Sequence, residues 1–577
     1  MGSFMRFKMD GQSAGYPRNI KEIKLVANWE NNKDESAIDL EAVQLVGKEA
    51  KKITERIESG KTGGVGIFEG IQYEIDVVEN GNAITGFDGY LDLTQNLLKI
   101  GCGEYRVSLN KNKGVDWLEE KADAFSFKFL YDRGIINAGD FVPVPYILNY
   151  KPDTMQLITL SIAGYMITRE IIDTVREVSN QISELVNSVT PNLGVPPSYD
   201  TGDIIWAALN IAARIAYSIA LTLALREIIQ QTIEEIYPPK RIHFGIKYIT
   251  LWQRACQYLG LEFESTIFED SRWSNLVYLP QKDEPGDSLI GDGCPTNGDP
   301  IYTFGDFVRF QMGRFNGQFK ITGNTLRFER WDYWQDVSTY ELPDSAVNQD
   351  IGENESGYNT DELQANMFFS YLFDTNDLNT LDNFKGTNLQ IVTTPNTTFN
   401  QDFVNIKGLY EVRFPVALGT RKDSLNRIEK AIKAMAKALD LFAGTSLEST
   451  IQNRVGVLNM TSDLIAVPKE VHIQGQYLTP NQRDYCSAKS VWDNFYYINS
   501  FADVNGVHNQ WLKFDSVEVP FCFSDFIKLQ NSNYFRTFDN RIGRIKRVEW
   551  TIEDDKAVIS YEIKQKYTDN LKIEEIQ

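Results

Sequence analysis

The residues best able to do chemistry are few and poorly placed for it. Three histidines, His243, His472 and His508, stand far apart with no metal-ligand spacing around them. No HExxH pair or Cys-x-x-Cys accompanies them, so the sequence offers no zinc site, and no Gly-x-Ser-x-Gly elbow frames a serine nucleophile. Gly60-Lys61-Thr62 has the ending of a phosphate-binding loop, but the glycine required five residues earlier is Glu55. Leu40–Ile57 also reads as a helix where that loop needs a strand. The run Asp374–Asp382 alternates Asp and Asn as a calcium loop does, yet its sixth place is Asn379 rather than Gly and its twelfth is Lys385 rather than Glu. Asp332 sits inside an aromatic cluster of Trp331, Tyr333 and Trp334. An acid among rings can bind or cleave sugar, but such a cluster more often packs a strand across an interface. The residues thus point to no catalytic side chain, no cofactor and no metal.

Arg214 is a different kind of signal. Between Asp203 and Arg226 it is the one charged residue in twenty-two positions, Ile204 to Leu225. That length can span a hydrocarbon core of about 30 Å, but a midspan arginine costs at least ~2.5 kcal/mol on insertion scales. The preceding arm is broken by Arg169, Glu170, Asp173, Arg176 and Glu177. Burial against neighbouring helices in an oligomer is the preferred reading, and membrane contact through 155–237 the second.

The elements that hold these residues are read from pattern. The chain has 577 residues, enough for three or four domains, with 42% apolar and 12% aromatic residues. Its formal charge of −21 opposes phosphate backbones and argues against sequence-specific nucleic-acid binding. Cys102, Cys256, Cys294, Cys486 and Cys522 are odd in number and scattered, which fits synthesis in a reducing host cytoplasm. The first thirty residues lack a basic stretch followed by an apolar run, so no secretory signal is expected.

The fold class expected is α+β and multidomain, with β-rich domains and a long apolar helical hairpin inserted. Residues 1–150 read as a β-rich domain, with strands near Ile67–Val78, Ile84–Leu93, Tyr105–Leu109 and Phe125–Leu130. Residues 151–240 form the hairpin. Ile171, Val175, Val178, Ile182, Leu185 and Val189 step by 4,3,4,3,4, a heptad seam. Pro191–Pro197 turns the chain, and a second helix runs from Thr201 to Tyr237, giving arms of about 50 Å at about 1.5 Å per residue. Residues 241–420 are mixed. A helix over Tyr248–Leu259 ends on Gly260, Gln281–Pro300 is a surface loop, and Thr303 opens a helix to Phe315. A hairpin follows over Gln318–Arg330. Residues 421–577 begin with a helix carrying Leu425, Ile428, Ile432, Met435, Leu439 and Phe442, and end on a hairpin of alternating Val548, Trp550, Ile552 and Ala557, Ile559, Tyr561, Ile563.

Several segments together resemble a known family. VPVPYILNY before an apolar hairpin, IYTFGDFVRFQMGRFNGQFKITGNTLRFERWDYW, TLDNFKGTNLQIVTTP, WDNFYYINSF and RIKRVEWTIEDDKAVISYEIKQKYTDNL are similar to tail-tip or baseplate hub proteins of phages of Bacteroidota. The likeness covers most of the chain from about residue 60. It implies a structural virion subunit at the distal end of the tail tube and a homo-oligomer, a trimer by analogy. The partners it implies are tube, distal-tail, tape-measure and spike proteins. It supplies no catalytic residues. Ile171, Val175, Val178, Ile182, Leu185, Val189 and Arg214 are the expected interface residues.

Overall fold

The computed structural model describes residues 4–22, 24–29, 42–60, 66–79, 82–94, 98–101, 103–111, 118, 121–148, 240–330, 333–343, 356–358, 366–374, 388–392, 409–421, 456–460, 462–496, 511–537, 541–551 and 554–564. Among the described residues the chain is mixed α and β with more strand than helix, arranged on four sheets. Both arms of the expected hairpin, with Ile171, Val175, Val178, Ile182, Leu185, Val189 and Arg214, and the expected helix over Leu425–Phe442 lie outside the described residues. Among the described residues no helix is long and apolar enough to cross a membrane.

The first sheet is antiparallel, with β1 (Phe4–Met9), β2 (Gln12–Ala14), β4 (Val43–Val46), β5 (Ile71–Glu79), β6 (Asn82–Asp92), β7 (Leu98–Gly101) and β8 (Glu104–Lys111). Residues of period two meet across it: Phe7 faces Ile75 and Met9 faces Tyr73, all buried. Helix α1 (Lys48–Ser59) covers it through Ala50 and Ile53. The strand β3 (Lys24–Asn28) does not join this sheet. It pairs with β25 (Ile542–Thr551) in the last sheet, placing Leu25 opposite Trp550 and Ala27 opposite Val548. The closing hairpin of β25 and β26 (Lys556–Lys564) has the alternation expected of it, with Trp550 opposite Ala557 and Val548 opposite Ile559. Phe7, Tyr73, Trp29, Trp550 and Ile559 consequently belong to one buried cluster, so the two ends of the chain share a core. Gly543 is required there: a Cβ would lie 2.1 Å from a ring carbon of the buried Phe535.

The central sheet runs β18 (Asn388–Val392), β17 (Asn366–Leu372), β19 (Leu409–Leu418), β21 (Lys469–Gln474), β12 (Leu276–Leu279), β10 (Arg241–Lys247), β9 (Phe141–Leu148) and β20 (Leu458–Met460), with β22 (Tyr477–Leu478) on β21. Its described strands come from the first, third and fourth sequence regions, so this sheet joins residues far apart in the chain. An aromatic core packs against it from α3 (Tyr248–Leu259) and α5 (Phe304–Phe315), where Trp252 stacks on Phe328 with centroids 5.0 Å apart and meets Phe304 edge to face. Both helices end as the sequence reads. Gly260 takes the left-handed conformation at φ 68° after α3. Thr303 and Asp306 form a reciprocal capping box at the start of α5, with Asp306 N donating to Thr303 Oγ1 at 3.0 Å. A three-stranded sheet follows, in which β13 (Gly317–Thr322) and β14 (Thr325–Arg330) make the expected hairpin and β11 (Glu262–Glu264) adds in parallel.

Three local readings are corrected. Leu40–Ile57 reads as one helix, but Val43–Val46 is the strand β4, and only after Gly47, at φ 65°, does α1 begin. Phe125–Leu130 alternates like a strand, but Phe127–Asp132 is a helix, α2. Ser126 caps it by accepting from Phe129 N at 3.1 Å, and Phe127 and Leu130 bury one helical face at i, i+3. Gln281–Pro300 is not wholly a surface loop, because Cys294, Asp299, Ser288 and Lys282 are buried. Asp299 holds it inward by accepting from Tyr278 Oη and Gln281 N, each at 3.0 Å.

One ion pair joins α5 to the central sheet. Arg314 and Glu470 are both fully buried at 3.0 Å, and Tyr248 Oη donates to Glu470 at 3.0 Å. Burial opposes the Arg314 charge, and the Glu470 carboxylate outweighs it, holding the guanidinium pKa above its ordinary value. Removing one partner of such a pair typically costs about 3–5 kcal/mol, whereas an apolar replacement of both is close to neutral. Arg314→Met is therefore expected to destabilise the protein by about that amount in urea denaturation. Adding Glu470→Leu should restore roughly half or more of the loss. Additive losses would show that the pair is not coupled.

Candidate functional site

The site with the clearest construction is the place where the long undescribed segment is rooted. β9 and β10 are antiparallel neighbours in register, Arg241 opposite Tyr146 and Ile246 opposite Phe141. β9 ends at Leu148 and β10 begins at Arg241, so the two described ends that flank residues 149–239 lie side by side. β20 lies on the other side of β9 in parallel, with Leu458 beside Tyr146 and Met460 beside Leu148. Arg421 bridges to Leu458, and Asn459 N donates to Thr420 O at 3.0 Å. The described ends that flank residues 422–455, Arg421 and the start of β20, thus stand in the same row. Four residues, Arg421, Leu458, Tyr146 and Arg241, stand side by side across this edge of the sheet.

Asp463 fastens the row. Its carboxylate pairs with Arg241, lies 2.9 Å from Tyr146 Oη, and accepts from Gly286 N at 3.1 Å. Tyr146 Oη lies equally close to Gly286 O, and Lys282 Nζ donates to that same carbonyl. Backbone bonds between Lys282 and Ile465 in both directions, at 2.8 and 2.9 Å, hold the Asp463 turn on the loop. Burial raises the Tyr146 pKa, with Asp463 adding to it, so the phenol stays a donor. Arg421 fastens the neighbouring root by donating to Leu478 O at 2.9 Å.

His243 sits in β10 one residue beyond Ile242, fully buried, with Nε2 2.9 Å from Pro280 O. Burial pushes its pKa down to about 4, and the Lys282 ammonium adds to the push while Asp292 opposes it. The ring is neutral in the fold at neutral pH.

The other residues singled out by sequence are dispersed. His472 lies on β21 with Nδ1 2.9 Å from Thr479 Oγ1, and His508 is outside the described residues. Gly60 follows α1, the helix the sequence places there, and Lys61 and Thr62 are outside the description. Asp374 is buried in an ion pair with Lys469, while the rest of that acidic run is not described. Among the described residues no group of three His, Cys, Asp or Glu is set to hold a metal ion. Trp331 and Asp332 are undescribed, but Tyr333–Asp336 forms a short helix, α6, in which Trp334 is buried with the Lys320 ammonium 5.0 Å from its ring centroid. Tyr333 and Asp336 line a cavity of about 260 Å³ with Asp270, Trp273 and Glu329. No local pattern marks Asp463, Tyr146 and Arg241 as a unit, because they come from three separate segments that only the tertiary fold brings together. No family model and no curated protein matches the chain.

Asp463→Ala should speed amide exchange at 141–146 and 241–246 by roughly tenfold or more, the scale of a lost hydrogen bond to a charged group. Unchanged exchange would show that the clamp contributes nothing. For His243 the unfolded chain, with an ordinary value of 6.5, takes up its proton before the folded one does as pH falls. Its contribution is whole above about pH 6.5 and is lost towards about pH 4, amounting to about 3 kcal/mol. Urea midpoints at pH 7 and pH 4 for the parent and His243→Gln check this: the parent should lose more, and equal losses would refute it.

Proposed function

We propose that the chain is a structural subunit of a phage tail tip or baseplate hub, assembled as a homo-oligomer at the distal end of the tail tube. The observation that carries this reading is the row Arg421–Leu458–Tyr146–Arg241. A hairpin of two equal arms returns to its starting point, and β9 and β10 present two feet in antiparallel register for it. The heptad seam of Ile171, Val175, Val178, Ile182, Leu185 and Val189, with Arg214 on the second arm, then projects from a rigid sheet and meets its counterparts in other copies. The helix with Leu425 to Phe442 is rooted beside it. The unit through which the sequence resembles tail hubs, a capped helix followed by a tight hairpin over Thr303–Arg330, supports the same reading. Three copies, with tube, distal-tail, tape-measure and spike proteins as neighbours, complete the proposal, and the subunit's place is the virion.

A second reading rests on the uncharged stretches flanking Arg214: the hairpin enters a membrane and helps DNA cross the cell envelope. The two are separated by replacing 149–238 with an Asn-Gly turn, which the pairing of Tyr146 with Arg241 allows. Light scattering and particle imaging should find the full chain a closed trimer and the shortened chain a folded monomer. A full chain that is monomeric at every concentration refutes the hub. Liposome flotation by the full chain alone, with oligomerisation unaffected by the deletion, puts the membrane reading first.

A further inference from the structure

The cavity beside α6 lies between that helix, the end of β14, the short helix α4 (Ser271–Ser274) and a π-helical turn over Trp492–Tyr496. At about 260 Å³ it is smaller than the ~300–1,000 Å³ of sites for drug-sized ligands, and its size suits a single ring. We propose that it binds one neutral sugar ring.

The walls decide the class of ligand. Ile267, Trp273 and Phe495 give an apolar side, while Asp270, Asp336 and Arg330 give acceptors and a donor. A neutral pyranose has both kinds of surface: a C–H face for the apolar wall and neighbouring hydroxyls that bond in pairs to carboxylate or guanidinium. A cationic ligand is a poorer fit, because guanidinium groups already stand beside two of the rings and repel it. The Arg272 guanidinium lies 5.3 Å from the Trp273 centroid, and that of Arg327 lies 5.5 Å from Tyr333. Each inner carboxylate also has its own arginine, Asp270 with Arg272 at 2.6 Å and Glu329 with Arg327 at 3.2 Å. An anion would face Asp336 and Glu329. What remains is a ligand without net charge that both donates and accepts.

The walls are also held in advance of any ligand. A π-turn departs from the ordinary helical bonding pattern and recurs at functional sites. Here its surroundings are tied by side chains: Arg330 Nη1 donates to Asn494 O at 2.8 Å, Asn316 Nδ2 to Phe495 O at 3.0 Å, and Tyr496 Oη to Gly313 O at 2.6 Å. Asp270 accepts from Arg272 N at 2.8 Å and caps α4, and Arg272 holds its carboxyl below the ordinary range, so it meets the ligand as an acceptor. Glu329 is the floor: Thr266 N donates to it at 2.9 Å, and it is fully buried. Pre-set polar groups reduce the ordering cost that weakens small-ligand binding.

The proposal stands apart from the hub reading, since a monomer could carry the cavity equally well. Saturation-transfer NMR on the full chain tests it, with glucose, galactose, N-acetylglucosamine and N-acetylgalactosamine as probes, and glucuronate and choline as charged comparisons. At least one neutral sugar should receive saturation, and Asp336→Ala and Tyr333→Ala should each weaken it roughly tenfold or more. Both positions are on the accessible side of α6, so unchanged melting should confirm that the variants fold, and Glu518→Ala, an exposed partner of Lys556 that lines no part of the cavity, should bind as the parent does. The proposal is overturned if no neutral sugar is saturated at millimolar concentration, if choline or glucuronate binds in preference, or if both cavity variants bind sugar like the parent.

Discussion

The register of β21 is the constraint from which the central part of the molecule is built. Lys469 and Glu470 are adjacent on that strand and point to opposite faces, and both are fully buried. Lys469 meets Asp374 on one side, while Glu470 meets Arg314 and Tyr248 on the other. Each buried charge costs several kcal/mol in lost hydration and is tolerated only opposite its partner. A slip of one residue would exchange the faces and strand two unpaired ions, so the strand has one acceptable position. Apolar residues alone would specify it less sharply, since a shifted Val471 or Ile473 still finds oil. The pairing thus selects an arrangement more than it adds stability.

That position is passed along the sheet by backbone pairing. β21 sets β12 through Leu276 opposite His472, β12 sets β10 through Ile246 opposite Tyr278, and β10 sets β9 through Arg241 opposite Tyr146. The row that roots the undescribed segments is therefore fixed by charges at the other side of the sheet. On its other flank β21 meets β19 in parallel, Ala417 opposite Lys469, and β19 runs on to Arg421 in that same row. Both routes from the ion pairs lead to one edge.

What could be read from sequence was whatever is decided within a few residues. The Thr303–Asp306 box, the left-handed Gly260, the turn at Gly323-Asn324 and the alternation from Val548 to Ile563 each carry their own cause, and the structure has them all. Phe125–Leu130 failed because Phe-Ser-Phe-Lys-Phe satisfies period two as well as a capped helical turn, and Ser126 decided for the helix by bridging to Thr303. Strand pairing beyond these hairpins was not legible. Nothing in Lys24–Asn28 announces a partner at Ile542–Thr551, and nothing in Asp463 announces Tyr146 or Arg241. Those contacts depend on which strands arrive side by side, a global outcome with no local signature. The cavity was half legible: Tyr333, in the aromatic run after Arg330, marked one wall, but Trp273 and Phe495 come from distant turns.

The way the feet are set bears on how a projecting segment would transmit force. β9 leaves the sheet at the end where β10 enters it, so a pull on the segment draws both strands along their axes in the same direction. Their mutual hydrogen bonds are then not loaded, and the strain falls on the outer neighbours, β20 beside β9 and the loop and β12 beside β10. Sliding a strand along its neighbours breaks its ladder bonds together, whereas peeling breaks them one at a time, so this arrangement resists a pull with its bonds in parallel. Asp463 adds to that resistance because it ties Tyr146 and Arg241 to each other and to Gly286 in the flanking loop. A root made of two isolated strands would lack this outer support. A sheet with buried ion pairs on one side and a clamped pair of feet on the other is suited to carrying an arm that neighbouring subunits pull on, which is the mechanical demand of the role proposed for it.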